Sequence, residues 1–253
     1  MTGTTESGHA GPRLRAERLR IPGGVTWHSH AELQWMAVKQ GIVVLETAGG
    51  HWLGLPGQAL LVGSHVPHAV HLHGTAEMYS LYIEPGTLSL DERSECELMA
   101  VSPLLDAAVV ALVAEASRRS TRARERAGLL EQLILGDLTT GRVSLYGLAN
   151  PDNRALRSLS HRLRADPAEA SGIDECARIV RMSRRTFTRR FRQEVGLSFV
   201  EWRRRLRVFH ALRLRAENVP TKQIAHLCGF RSTQALYGEI RKELGITLKT
   251  TGV

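Results

Sequence analysis

Thr221-Lys-Gln-Ile-Ala-His-Leu-Cys-Gly-Phe-Arg-Ser232 is the stretch whose reading decides the fold. A small residue, Ala225, stands four positions before Gly229, and a serine follows at 232. Two short helices crossing at a tight turn need these residues: a methyl at the closest approach, a glycine where the turn takes positive φ, and a hydroxyl to cap the next helix. Asp174-Glu-Cys-Ala-Arg-Ile-Val-Arg-Met-Ser183 repeats the plan, with Ala177 and Ser183 in the roles of Ala225 and Ser232 and Arg181 in place of the glycine.

The two serines are 49 residues apart, and Ser198 to Asn218 between them reads as one helix. Ser198-Phe-Val-Glu201 has the form of a capping box, and Phe199, Trp202, Leu206, Phe209 and Leu212 recur along one side. Such a rod spans roughly 30 Å at about 1.5 Å per residue, close to the roughly 34 Å between successive major-groove faces on one side of a duplex. In Ser183 to Val195, Phe187, Phe191 and Val195 repeat at four-residue spacing and are expected to face a core, which turns Arg185, Thr188, Arg189 and Arg192 outward. In Ser232 to Leu244, Leu236, Ile240 and Leu244 face inward, leaving Thr233, Gln234, Tyr237, Gly238 and Arg241 on the far side.

With Met182-Ser183-Arg184-Arg185, Phe187, Arg190-Phe191, Gly196-Leu197-Ser198, Ile224-Ala225, Gly229-Phe230 and Ser232 in place, the last hundred residues or so resemble the DNA-binding domain of the AraC/XylS family of bacterial transcription regulators. The resemblance implies an all-α domain at 151–253 with helix-turn-helix motifs at about 173–195 and 221–244. Its expected partner is double-stranded promoter DNA, with RNA polymerase as a further one. The DNA-binding candidates are Arg184, Arg185, Thr188, Arg189, Arg192, Arg231, Thr233, Gln234, Tyr237 and Arg241. Arg185 and Arg189 are expected to contact guanine, the alternative for each being phosphate alone, and Gln234 to pair with adenine. Arg203, Arg204, Arg207 and Arg231 are candidate phosphate contacts, Arg204 having the alternative of pairing with an acid. Gly238 falls where the family often has a long polar or basic residue, and Leu248 where it has proline, so the second module is expected to anchor backbone more than read bases.

Charge divides the chain in the same place. From Arg154 onward 22 Lys+Arg stand against 9 Asp+Glu, whereas the remainder has 12 against 16. A polyanionic partner is therefore expected for the rear portion alone. Cys96, Cys176 and Cys228 are scattered and read as reduced, buried thiols, with no CxxC site. No segment approaches the roughly 20 apolar residues needed to span a bilayer, so a cytoplasmic protein with no membrane partner is expected.

Residues 1–20 read as a mobile tail. From Val25 to about Glu84, short apolar runs alternate with turns at Gly49-Gly50, Pro56-Gly57 and Val66-Pro67, giving candidate strands at Leu33 to Val38, Ile42 to Glu46, His51 to Leu53, Ala59 to Val62 and Tyr79 to Ile83. A small β-barrel or jelly roll over 21–86 is expected, with Trp27, Trp35 and Trp52 packed in it and His51, His65, His71 and His73 in loops or on the surface. Residues 87–150 read as a helical linker: Leu88 to Met99 short helix or connector, then helices at Pro103 to Ala116 and Arg122 to Leu138. Their stripes, Leu105, Val109, Leu112 and Val113, then Leu130, Leu133, Ile134 and Leu138, either pack on the barrel or pair two subunits, and the family resemblance favours a homodimer. The overall class is α+β.

His28-Ser-His30 with Gln34 and Gly41, then Gly57 and His68, resemble the two motifs of cupin-like sensor domains; Gln34 replaces the usual acid, and Gly63 and His65 replace the usual proline and glycine. Positions 28, 30 and 34 share parity, so on one strand they would point to one face. His28, His30, Gln34 and His68 are thus candidates to hold an effector, either as the shell of a divalent metal or as a metal-free polar pocket for a small molecule. The expected function is an effector-responsive regulator; the alternative is a cupin-type metalloenzyme, an isomerase or dioxygenase, with a basic appendage.

Overall fold

The computed structural model describes residues 14–20, 23–88, 95–116, 118–138, 142–143 and 146–245. The amino-terminal half is built on β1 (Leu14–Leu19), β2 (Val25–His28), β3 (Leu33–Thr47), β4 (Gly50–Gly54), β5 (Gln58–Val62) and β6 (His68–Ile83). Later segments add β7 (Glu97–Ala100), β8 (Arg142–Val143) and β9 (Gly147–Ala149) to the same antiparallel sheet. Its main path runs β1-β6-β3-β5-β7-β8, and among the described residues no pairing joins the two ends into a closed barrel.

Gly41 explains why two runs read as separate strands are one. β3 pairs with β6 along nearly its whole length, and the register shifts on either side of Gln40. Gly41 takes φ +71° there, and a Cβ on it would lie 2.7 Å from Ala76 Cα. The bulge inserts a residue and so reverses parity. Before it, Met36 and Val38 face the interior cluster with Met78 and Leu60; after it, Val43 and Leu45 do. The opposite faces go to different partners. Leu33, Trp35 and Ala37 pack under two helices, whereas Ile42 and Val44 join the core of the carboxy-terminal half.

Several expectations are corrected. Leu14–Leu19, assigned to a mobile tail, is a strand paired with β6; Leu14 is buried, and Arg18 and Arg20 both reach Glu77, whose carboxyl the Arg18 hydrogen bond holds below the usual carboxylate range. Residues 1–13 of that tail lie outside the described residues. In the stretch Leu88 to Met99, residues 97–99 belong to strand β7 rather than a helix, and 89–94 lie outside the described residues. Of the histidines expected in loops or on the surface, His65 is exposed between β5 and β6 and His71 is half-exposed, but His71 and His73 are on β6 and His51 is on β4 rather than in loops. Trp35 is buried in the core, but Trp27 is 52 % exposed on short β2.

The linker helices form where the spacing predicts, α1 at Pro103–Ala116 and α2 at Thr121–Asp137. Leu105, Val109, Leu112, Ile134 and Leu138 pack on the sheet, so most of the two stripes serves the chain's own core. Leu133, with Leu104 and Leu129, stays exposed.

The basic half is helical: α3 (Arg154–Ala165), α4 (Ile173–Ile179), α5 (Arg184–Val195), α6 (Phe199–Ala216), α7 (Thr221–Leu227) and α8 (Thr233–Leu244). Ser183, Ser198 and Ser232 cap α5, α6 and α8 as expected, Ser198 within a complete capping box. Gly229 takes φ +70° at the second turn and Arg181 takes φ +55° at the first, so the arginine accepts the conformation its counterpart's glycine allows freely. The terminal Ile246-Thr247-Leu248 reading lies outside the described residues. No helix among those described is long and apolar enough to cross a membrane.

The two halves share one core. Ile42, Val44, Leu53 and Leu55 from the sheet, with Tyr146 and Leu148, join a cluster that includes Trp202, Val208 and Leu212 of α6. At its rim the bulged middle of β6 touches the end of α6. Gly74 takes φ +72°, and a Cβ there would stand 2.1 Å from the Ala216 carbonyl oxygen. Gly74→Ala is therefore expected to cost about 2 kcal/mol, read as a fall of roughly 4–8 °C in the thermal midpoint. An unchanged midpoint would mean that β6 does not rest on α6 at Gly74.

Candidate nucleic-acid interface and histidine cluster

α5 sorts its side chains by burial. Phe187, Phe191 and Val195 are 0 %, 0 % and 8 % exposed. Phe191 meets Phe199 and Trp202 edge to face at 5.3 and 5.6 Å, which fixes the helix on its base. The opposite side carries Arg185, Thr188, Arg189 and Arg192, which with Val200 border one open groove of about 350 Å³. Thr188 Oγ donates back to the carbonyls of Arg184 and Arg185 at 3.0 and 3.1 Å, so its hydroxyl is engaged within the helix. Arg184 turns to Asp174 of α4 at 3.1 Å.

α8 follows the same plan with fewer cations. Leu236 and Ile240 are buried and Leu244 is partly so. Gln234, Tyr237 and Arg241 are exposed and Thr233 half-buried; the Tyr237 hydroxyl lies 3.4 Å from Thr221 Oγ1, and Arg231 is exposed at the turn. A Cβ on Gly238 would meet nothing within 4 Å. Its missing side chain is thus no packing requirement.

The connector arginines behave differently. Arg203 is 8 % exposed and donates to the Glu169 carbonyl, Arg207 donates to the Pro167 carbonyl at 3.3 Å, and Arg204 pairs with Glu239 at 2.6 Å. These side chains, expected to meet phosphate, instead tie α6 to α8 and to the loop before α4; the alternative named for Arg204 is the one observed. Among the described residues, no ion pair engages Arg185, Arg189, Arg192, Arg231 or Arg241.

In the sheet, His28, His30 and His68 come together so that one ring nitrogen of each lies within 4.8 Å of the others. The route differs from the parity expectation: His28 ends β2, His30 lies in the following loop, and Gln34 is on β3. His28 and His68 are cross-strand partners, with ring centroids 4.3 Å apart. His30 is held because its carbonyl accepts from the His65 N–H at 2.8 Å, His65 itself taking φ +59°. Gln34 Nε2 donates to Ser80 Oγ at 2.7 Å and to the Tyr82 hydroxyl at 3.2 Å. Gln34 Oε1 stands 3.0 Å from His68 Nε2 and 3.3 Å from His30 Nε2. Burial pushes His68 down to about 4.

A second group of histidines, unmarked in the sequence by any motif, sits between the two halves. His73 Nδ1 donates to Glu217 at 3.0 Å, and Arg213 Nε donates to His73 Nε2 at 3.2 Å. This arrangement needs the neutral ring, and burial followed by the Arg213 charge lowers its pKa. His51 beside Glu46 is pushed down to about 4, chiefly by burial and then by the Arg164 charge. Arg164 itself spans the junction, donating to the Leu148 carbonyl and to Asn150 Oδ1 at 2.8 and 2.6 Å. A histidine held neutral in the fold binds its proton more readily once unfolded, so its contribution is complete above about pH 6.5 and is lost as pH falls toward 4. For His51 this predicts a loss of about 2 kcal/mol between pH 6.5 and 4. His51→Gln should flatten that part of a stability-against-pH curve, and an unaltered slope would place the titrating group elsewhere.

The chain matches two family models, an AraC-like ligand binding domain over residues 16–134 and a helix-turn-helix domain over residues 176–252. It is 26% identical over 221 residues to the HTH-type transcriptional regulator NimR of Escherichia coli (strain K12), covering 87% of this chain and 79% of NimR. To the HTH-type transcriptional regulator RipA of Corynebacterium glutamicum it is 35% identical over 113 residues, 45% of this chain and 34% of RipA. Among solved structures, ToxT from Vibrio cholerae aligns over 93% of this chain and 95% of its own at 11% identity, with a TM-score of 0.39.

Proposed function

Because the chain belongs to the AraC/XylS family of transcription regulators, we propose that α5 is its base-reading element and that an effector in the amino-terminal sheet governs how the two helix-turn-helix units meet a promoter. The chain is a DNA-binding regulator; which side chains bind, and what the sheet senses, are the proposal. The observation that carries it is the division of the arginines. Arg203, Arg204 and Arg207 of α6 are committed to the fold, whereas Arg185, Arg189 and Arg192 project together from α5 into open space.

Arg185 and Arg189 each have the fork that fits O6 and N7 of guanine. Thr188, its hydroxyl turned to the helix backbone, offers its methyl to a neighbouring thymine. Arg184, tethered to Asp174, serves as a phosphate contact at the edge of the groove. In the second unit Gln234 is the adenine-reading candidate, and Arg231, Thr233, Tyr237 and Arg241 hold the backbone. α6, about 27 Å long at 1.5 Å per residue, keeps the two units at a fixed separation.

The sheet is read as the sensor, and β6 as its link to the rod: it begins at His68 in the histidine cluster and passes His73 and Gly74 against Arg213 and Ala216 of α6 and its cap Glu217. The exposed Leu104, Leu129 and Leu133 on α1 and α2 are the surface proposed to pair two copies. Contact with RNA polymerase follows from the same reading. The relatives are transcription regulators, and the regulator is favoured over a metalloenzyme with a basic appendage.

The test is a binding titration of the full chain on its own promoter fragment and on a random duplex at several salt concentrations. The reading expects a promoter preference that survives as salt rises while random binding fades. Equal affinity at every salt concentration would remove base reading from the account.

A further inference from the structure

We propose that His73 is a proton-operated latch between β6 and the end of α6, closed while its imidazole is neutral and released when the ring takes a second proton. The geometry carries the assignment. Arg213 Nε–H can only donate, and it meets His73 Nε2 at 3.2 Å, so that nitrogen holds a lone pair. The ring's hydrogen is then on Nδ1, which donates to the Glu217 carboxylate at 3.0 Å. A second proton would fall on Nε2 and set two N–H groups, both cationic, against each other. The contact with Arg213 therefore exists only in the neutral state.

The charges around the ring favour release rather than absorb the new proton. His71 acts on it from its own strand, and His210, Arg213 and Glu217 from α6 and its cap; β3 sets apolar Ile42 opposite. With the imidazoles neutral, one guanidinium balances one carboxylate. Protons on His73 and His210 would add two charges beside Arg213, and Glu217, its side chain 43 % exposed, answers them weakly. Burial first and then the Arg213 charge lower the pKa of both rings. A ring lowered in the closed form and ordinary in the open one keeps the latch complete above about pH 6.5, and the hold is lost as pH falls through the lowered value. Between about pH 7.5 and 5.5 each such ring favours release by up to about tenfold. His51, pushed down to about 4, stays neutral over that range, so the contact beside Arg164 persists while the β6 end opens.

Position says what release does. Gly74 to Ala76 bulge from β6 between His73 and Glu77, opposite Gly41. A Cβ on Gly74 would lie 3.3 Å from Ala216 Cβ, so the bulge rests on the last turn of α6. Glu217 caps that helix, and only Asn218, Val219 and Pro220 separate it from α7 and the second helix-turn-helix unit. The closed latch holds the turn from which the second unit is suspended. Acidification is thereby expected to loosen that unit and lower the preference for promoter over random DNA; this clause rests on the regulator reading above, the latch does not.

The experiment follows the full chain, free of any histidine tag, by NMR from about pH 7.5 to 5.5. The His73 ring nitrogens report its protons, and the nuclear Overhauser signal between Gly74 Hα and the Ala216 methyl reports the contact. The expected result is an unprotonated Nε2 at the start and a contact signal lost in step with protonation of His73. His73→Gln, with a donor, an acceptor and no titrating proton, should keep the signal across the range; His73→Lys, charged throughout, should lack it with unchanged far-UV circular dichroism. A ring already protonated at the start, a signal that survives protonation, or one that fades equally in His73→Gln overturns the latch. On DNA, the promoter preference should fall about threefold or more over the same range in wild type and stay level in His73→Gln. A level preference in wild type while the contact opens overturns the link to DNA and leaves the latch. No preference at any pH removes base reading itself, and the contact signal still decides the latch.

Discussion

Replacing Arg185 and Arg189 together by alanine is expected to weaken binding to the specific promoter by about 2–6 kcal/mol, at 1–3 for each bidentate guanine contact. Loss on a random duplex should be much smaller. Alanine is the strongest helix former, and both side chains stand outside the aromatic base of α5, so the variant should fold as the parent does. The ratio of the two losses is therefore informative. A phosphate contact weakens every sequence alike and lowers the salt slope by about one per residue. Equal losses on promoter and random DNA would reassign both arginines to the backbone and leave Gln234 as the remaining candidate reader.

Trp202→Ala should cost about 3–5 kcal/mol, the usual range for emptying a large aromatic site. Trp202 is fully buried, lies parallel to Phe199 and edge-on to Phe191, and has the Arg164 guanidinium 5.8 Å from its ring. It joins α5 to α6, and Arg164 reaches from there to the sheet. Denaturant unfolding should show the loss, and DNA binding should fall with it because α5 loses its seat. Trp202→Phe, which keeps a ring in the site, should retain most of both. A Trp202→Ala protein of undiminished stability would mean that the core tolerates the cavity and that the rod is held by other contacts.

The helical half is legible in the sequence because its signals are local. Ser183, Ser198 and Ser232 cap within one turn, and Phe187, Phe191 and Val195 declare the inner face of α5 through spacing alone. Arg203 and Arg207 mislead for the complementary reason: an arginine beside a DNA-binding motif looks free until the fold supplies acceptors from Glu169 and Pro167, more than thirty residues away. The sheet is harder to read. Gly41 looks like a break between strands because its bulge reverses the alternation that identifies a strand, although β3 continues through it. Leu14–Leu19 escapes a local reading because its partner, Met78 to Ile83, lies about sixty residues on. The convergence of His28, His30, Gln34 and His68 is legible from their residue types and motif spacing, while the path that joins them is not. His73 carries no signal, since its neutral state depends on Glu217 and Arg213 from the other half of the chain.

The central claim is that a stiff α6 holds two reading heads at the pitch of a duplex, and hydroxyl-radical footprinting on the chain's own promoter tests it most directly. The account predicts, for one bound chain, two protected patches on the same face of the DNA, about 10 base pairs apart, with the patch under α5 lost in the Arg185→Ala, Arg189→Ala protein. A single patch, or two on opposite faces of the helix, would contradict it.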